Sequence, residues 1–344
     1  MSHVVITGGN GFIGSHITAL FKEKGVDIRH PDSRALDIGD LPALCAALHG
    51  ADVVIHNAAL VKDWGSRQRF LEINVRGTEN VLAACRENGV RHVILTGSCS
   101  VFGEEHQPTV KDEQSPKNSH YPYFLDRIFP SAMNHYRDSK REAVEKAIAF
   151  ARTHAMSLTV LHPVWVYGER ECSSGFYEYL KAVQDGIPAG MGSPDNLFHV
   201  IYAGDLAAAY HLVYRAMLAG KLTGIREYLI GNPKPVRMDA IFRLLCAEAG
   251  LKKPPNLPKA LVYPLAFACE LLATLARRKT PPLLTRSRVN MFYDSIAYST
   301  GKAARELGFS APTPLEEGIA RTVQWYRKEG WLAKISDSPS GLSV

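Results

Sequence analysis

Several features are missing from this sequence, and each absence narrows what the protein can be. The six cysteines, Cys45, Cys85, Cys99, Cys172, Cys246 and Cys269, form no C-x-x-C pair and have no histidine at ligand spacing. That pattern excludes a legible zinc site or disulfide framework and points to reduced thiols in a cytosol-like compartment. No uninterrupted apolar run approaches the roughly 20 residues of a bilayer span. The first residues lack a basic n-region, a long apolar h-region and a small-residue cleavage site, so the chain is expected to stay unsecreted. Neither charge sign dominates: 40 Lys and Arg stand against 34 Asp and Glu, a net +6 over 344 residues. Nucleic-acid binding would need those charges clustered. The nearest cluster, Arg277, Arg278 and Lys279 followed by Arg286 and Arg288, directly trails an apolar stretch. Its setting fits a membrane surface or a solvated helix end, not a nucleic acid. No internal repeat, metal site, nucleophilic cysteine or Ser-His-Asp arrangement rises above chance.

What is present is an ordinary globular composition, 46% hydrophobic and 22% charged, long enough for two domains of unequal size. Apolar strand-like runs begin at His3, Val26, Asp52, Arg91, Ser157 and Glu227. Helical patterns separate them at 12–24, 41–48, 70–87 and 138–154. Strand alternating with helix predicts an α/β chain with a doubly wound parallel sheet covered on both faces. After about residue 162 the alternation loosens and proline and glycine become frequent. The expected division is a nucleotide-binding domain from 1–162 and about 200–231, and a smaller mixed substrate domain from 163–199 and 232–335. Residues 336–344 read as a polar tail.

The first turn reads TGGNGFIG, residues 7–14, with Gly8, Gly11 and Gly14 spaced by three and Gly9 completing an overlapping G-x-G-x-x-G. Glycines let the backbone turn tightly and approach a pyrophosphate, whose charge then rests on amides at a helix N-terminus. A lone glycine motif is weak, but here it follows an expected strand and opens an expected helix. A dinucleotide fold of the Rossmann type is therefore predicted. Asp32, 18 positions after Gly14, is placed to hold the adenosine ribose hydroxyls, which favours NAD. Arg29 and Arg34 flank it, and either guanidinium could meet the 2′-phosphate of NADP; the lesser alternative for Asp32 is a solvated loop carboxylate. Asp37 and Ile38 lie where a loop reaches adenine, and HNAA, residues 56–59, ends the third strand with the small Ala58 and Ala59.

TGSCSVFG, residues 96–103, ends another strand in hydroxyls, and YRDSK, residues 136–140, is expected to open a helix. A tyrosine four residues before a lysine shares its helix face. A phenol with a reference pKa near 10 is a poor base at neutral pH unless a cation stabilises the phenolate. Lys140 is that cation for Tyr136.

With these pieces assembled, the chain resembles the extended short-chain dehydrogenase/reductase superfamily over nearly its whole length. The matching segments are TGGNGFIG, LDIGD (36–40), HNAA, NVRGTENVL (74–82), TGSCSVFG, YRDSK and HPVWVYG (162–168). The resemblance implies Tyr136 as general acid/base and Lys140 as the group that lowers its pKa and holds the nicotinamide ribose. It implies Ser98 as the hydroxyl that bonds the reacting oxygen, and Asn74 as a helix support and part of a proton relay. It also implies Phe12, Ile13, Pro163 and Val166 as cofactor-lining positions beside the glycine turn. A homodimer, formed through the helices expected at 70–87 and 138–154, rests on the resemblance alone.

The stretch 261–309 and the segment LEEGIARTVQWY (315–326) resemble the 3β-hydroxysteroid dehydrogenase and sterol 4-carboxylate dehydrogenase branch more than the sugar-nucleotide epimerases. From 260 to 276 the chain is apolar except for Glu270 and Thr274, is broken by Pro264, and ends in Arg277, Arg278 and Lys279. This is a poor spanning helix. It reads as an amphipathic helix on a membrane or at a lipid entry, or as a core helix of the smaller domain. Two departures stand out. His162 replaces the Arg that many members carry there, which weakens the case for a charged contact. The stretch between Ser98 and Tyr136 is about a dozen residues longer than in the epimerases and carries the aromatic-rich segment 120–133, a lid, a pocket wall or a surface insertion. The implied function is NAD- or NADP-dependent hydride transfer to or from a secondary alcohol or ketone of a hydrophobic molecule. Rival readings are a sugar-nucleotide epimerase, dehydratase or reductase, and a catalytically silent nucleotide-binding regulator. The expected location is cytoplasmic, with peripheral membrane contact through 260–279.

Overall fold

The computed structural model describes residues 3–31, 36–103, 110–171 and 175–332; Asp32 and Arg34 lie outside the described residues. Five apolar runs form β1 (His3–Thr7), β2 (Asp27–Arg29), β3 (Val53–His56), β4 (His92–Thr96) and β5 (Ser157–Pro163). With the edge strand Ile225–Ile230 they make one parallel sheet, ordered Ile225–Ile230, β5, β4, β3, β1, β2. Val4, Val5, Ile6, Val53, Val54 and Ile55 are all fully buried. Alternation sends Val4 and Ile6 to one face and Val5 to the other, so each face needs its own cover. On the first face lie α1 (Phe12–Glu23) and the helix Ala203–Leu218, which pack on each other. On the second lie α2 (Leu41–Ala47), a long helix running from Arg67 to Glu87, and a still longer one over Ala132–Thr153. This is the doubly wound α/β architecture expected. The strand order reverses between β1 and β3, and the crevice above that reversal is where such sheets bind ligands.

The C-terminal part packs the helices Met238–Glu248, Lys259–Leu275, Arg286–Tyr293 and Leu315–Lys328 with short two-stranded ribbons. Three local expectations need correction. The helix expected at 70–87 begins at Arg67 as α3 (Arg67–Phe70), widens into a π turn at Leu71–Arg76, and resumes as α4 (Gly77–Glu87). Asn74 sits in the wide turn with its side chain drawn inward by buried partners, the setting in which π turns occur. Helix α5 (Ala132–Thr153) opens six residues before the expected 138, since Ser131 supplies an extended cap after Pro130. Tyr136 therefore stands inside the helix. Pro264 does not break the helix Lys259–Leu275. The lost bond would have gone to the Ala260 carbonyl near the helix start, where Ala260 is exposed, so the bond is lost at little cost.

Candidate active site

The turn after β1 is closed so tightly that Gly8 and Gly14 cannot be exchanged. Gly8 has φ +71°, and a Cβ there would lie 2.8 Å from Ala58 Cα; a Cβ on Gly14 would lie 2.0 Å from the Gly8 carbonyl oxygen. Gly11 caps α1 without any side-chain acceptor, so no side chain occupies the first-turn amides, and Phe12 and Ile13 are half-buried. This cradle fits a dinucleotide pyrophosphate. Ala58 donates its amide to Thr7 Oγ1 at 3.3 Å, which holds the two strand ends together. Beneath them His56 lies between Thr7 Oγ1 at 2.8 Å and Thr78 Oγ1 at 3.0 Å. Burial, and then the charge of Lys140, pull its pKa down to about 3, so His56 is a neutral strut at physiological pH. Asp37 spends its carboxylate on the Gly39 amide at 2.8 Å, and the Ile38 carbonyl accepts from Asn80 at 3.0 Å. That turn is thereby pinned against α4. Pro163 is buried at the end of β5, and Val166 is half-buried in the short strand Trp165–Tyr167.

At the β4 end, Ser98 caps the turn Cys99–Phe102, accepting from the Ser100 amide at 3.2 Å and sharing a 2.8 Å bond with the Ser100 hydroxyl. Lys140 Nζ donates to the Thr96 carbonyl at 2.8 Å, two residues before Ser98. Lys140 is 5% exposed, and burial pulls its pKa down to about 8. A buried ammonium with one carbonyl partner has capacity left to stabilise an anion. Tyr136, one helical turn earlier, is 9% exposed and meets the edge of Phe70. Asn74 accepts from the Leu60 amide at 2.7 Å and donates to the Leu60 carbonyl and to Ser139 Oγ. Ser139 in turn donates to the Tyr136 carbonyl at 2.8 Å. The fold therefore brings Asn74 to the backbone under Tyr136, where it supports the helix.

Sequence reading missed several supporting groups. His30, at the end of β2, packs over Gly9 and lies 3.1 Å from both Asn10 and Lys22. Its position after an expected strand was the available signal. His162 is fully buried, with Nδ1 3.1 Å from the Ser98 carbonyl and Nε2 3.0 Å from Glu227. Glu227 also pairs with Lys117 at 3.0 Å. Burial would raise the Glu227 pKa, but hydrogen bonds and charge from His162 and Lys117 outweigh it and hold the carboxyl below its usual range. Contrary to expectation, position 162 thus makes a carboxylate contact. No cluster of three potential metal ligands occurs among the described residues.

Comparison with known proteins agrees with this geometry. Residues 4–231 match the NAD dependent epimerase/dehydratase family. A 2-alkyl-3-oxoalkanoate reductase of Stenotrophomonas maltophilia is 27% identical over 337 residues, covering 92% of this chain and 97% of its own. The N-acetyl-alpha-D-glucosaminyl-diphospho-ditrans,octacis-undecaprenol 4-epimerase of Escherichia coli O157:H7 is 30% identical, with 94% and 95% covered. An Arabidopsis thaliana 3beta-hydroxysteroid-dehydrogenase/decarboxylase is 27% identical, with 93% and 78% covered. Among solved structures, MoeE5 in complex with UDP-glucuronic acid and NAD superposes with a TM-score of 0.72 at 23% identity, covering 95% of this chain and all of that one. The chain belongs to the NAD-dependent epimerase/dehydratase family, within the extended short-chain dehydrogenases/reductases, and its cofactor is NAD or NADP.

Proposed function

We propose that the protein is an oxidoreductase that interconverts a secondary alcohol and a ketone on a hydrophobic, steroid-, hopanoid- or lipid-like substrate. The observation that carries this reading is the buried Lys140 ammonium, fixed on the Thr96 carbonyl between the Ser98 strand end and the Tyr136 helix face. When bound, the nicotinamide supplies the site for hydride transfer. In the oxidation direction the Tyr136 phenolate accepts the substrate hydroxyl proton, and Lys140 stabilises that phenolate. Ser98 Oγ donates to the substrate oxygen. Asn74 positions the helix through Ser139. Gly8, Gly11, Phe12, Ile13 and Gly14 hold the pyrophosphate, Asp37, Ile38, Ala58 and Ala59 wall the adenosine end, and Pro163 and Val166 flank the nicotinamide end. Asp32 and Arg34 are assigned to the ribose, where they choose between NAD and NADP. The aromatic segment around Tyr121, Tyr123 and Phe129, held against α5, supports an apolar substrate, as do relatives named for an alkyl-oxoalkanoate and a steroid. The protein works in the cytoplasm as a homodimer joined through the 67–87 and 132–153 helices.

A second reading, sugar-nucleotide epimerisation at the same site, is favoured by the 4-epimerase relative. Production of NADH or NADPH by the purified protein, with each oxidised cofactor and a panel of 3β-hydroxysterols, separates the two. Net reduced cofactor, lowered at least about a hundredfold in Tyr136→Phe, is the expected result. Turnover retained in Tyr136→Phe refutes the site. Conversion of a UDP-sugar without net NADH establishes the second reading.

A further inference from the structure

The helix Lys259–Leu275 is amphipathic in the inverted sense. Its buried positions are Val262, Ala266, Glu270 and Ala273, so its one carboxylate points inward. Its outer stripe is Leu261, Pro264, Leu265, Ala268, Leu272 and Leu275, spaced as neighbours on one helical face. The four leucines are 65%, 55%, 66% and 71% exposed. The inward turn of Glu270 has a structural cause: it receives Arg286 Nε at 2.9 Å and Nη2 at 3.0 Å.

A second apolar element continues this surface. In the segment 121–130, Phe124 is 58% and Ile128 82% exposed. Phe124 and Phe129 set their rings edge-on to Phe267 of the helix at 5.4 and 6.0 Å, and Arg286 binds both of their carbonyls. Within these two segments the exposed charges are of one sign; the nearby Asp63 is paired with Arg288. Between 121–130 and 260–285 the two carboxylates, Asp126 and Glu270, are 8% and 2% exposed, whereas Arg127, Arg277, Arg278 and Lys279 are all exposed. Trp64 donates its indole N–H to the Arg278 carbonyl at 2.9 Å, placing an amphipathic ring at the basic rim.

We propose that this face docks on an anionic lipid bilayer, with the helix lying in the plane of the interface. Exposed leucines enter the acyl boundary and the arginines and lysine meet phosphate headgroups, the combination that interfacial helices use. No helix among the described residues is long and apolar enough to cross. Self-association through this face would bring the four cations of each copy against those of the other without one exposed carboxylate between them. The docked surface borders loop 60–65, whose Leu60 is held by Asn74 and whose Gly65 carbonyl faces His135, the neighbour of Tyr136. A hydrophobic substrate would thus exchange between bilayer and site. That exchange rests on the proposed reaction; the docking does not.

The test is flotation of the full chain with phosphatidylcholine vesicles, with and without phosphatidylglycerol. We expect binding to the anionic vesicles, weakened by salt, and little to the neutral ones. Leu265→Asp with Leu272→Asp should abolish binding at unchanged far-UV circular dichroism, and Leu265→Gln should weaken it. Arg277→Gln, Arg278→Gln and Lys279→Gln together should lower affinity for anionic vesicles about a hundredfold. Absence of wild-type binding overturns the proposal, as does binding that survives the paired Leu→Asp change. So does an oligomer in sedimentation velocity that the same change dissociates, since the face would then be a protein interface. Flotation needs no turnover, so a failed docking test leaves the reaction standing, and a failed reaction leaves docking testable.

Discussion

The Glu270–Arg286 pair ties the helix Lys259–Leu275 to the 121–130 segment, and its removal has a calculable cost. Arg286 is fully buried and makes a two-point contact with Glu270, which also accepts the Arg286 backbone amide at 2.9 Å. Arg286 additionally stacks on Phe129 at 4.8 Å and on Phe267 at 5.4 Å. Glu270→Leu leaves the guanidinium buried without its counter-ion, a loss of about 3–5 kcal/mol. At the roughly 2 °C per kcal/mol expected for a chain of this size, the melting temperature should fall by roughly 6–10 °C. Arg286→Met should cost a similar amount, since it strands the carboxylate and two carbonyls. The double variant should be less destabilised than either single one, because two apolar side chains replace two charges. Its residual cost comes from the Phe124 and Phe129 carbonyls. Thermal unfolding of the four proteins measures the coupling, and trypsin cleavage after the exposed Arg127 should accelerate in both single variants. Additive losses, or a loss below about 1 kcal/mol in Glu270→Leu, would refute the view that this pair clamps the two elements.

Two further predictions concern Lys140 and the contact between Glu227 and His162. Burial pulls the Lys140 pKa to about 8, against 10.5 for an ordinary lysine. Between those values the unfolded chain holds the extra proton, so stability should rise with pH, by up to about 3 kcal/mol relative to Lys140→Met. Parallel stability–pH curves for the two proteins would show that Lys140 is not desolvated. Separately, Glu227→Ala removes the carboxylate that orients His162 against Ser98. Roughly ten- to a hundredfold loss of kcat is expected, with KM for the cofactor unchanged and activity largely restored in Glu227→Gln. A rise in cofactor KM without a change in kcat would place Glu227 outside the positioning of Ser98.

The features legible in the sequence are those that depend on neighbours in the chain. The alternating apolar runs, the TGGNGFIG turn and the four-residue step from Tyr136 to Lys140 each satisfy a local geometric requirement, so strand, turn and helix face follow from spacing alone. Only the tertiary structure supplied partners across long separations. The buried state of His162 depends on Glu227 and, through it, on Lys117, residues that the sheet edge brings together from 65 and 110 positions apart. The inward Asn74 depends on Leu60 and on Ser139, 65 positions away. Most plainly, periodicity revealed that 260–276 could form a helix but not which side faces in. A buried arginine capturing Glu270 decided that, and it left the leucines outside.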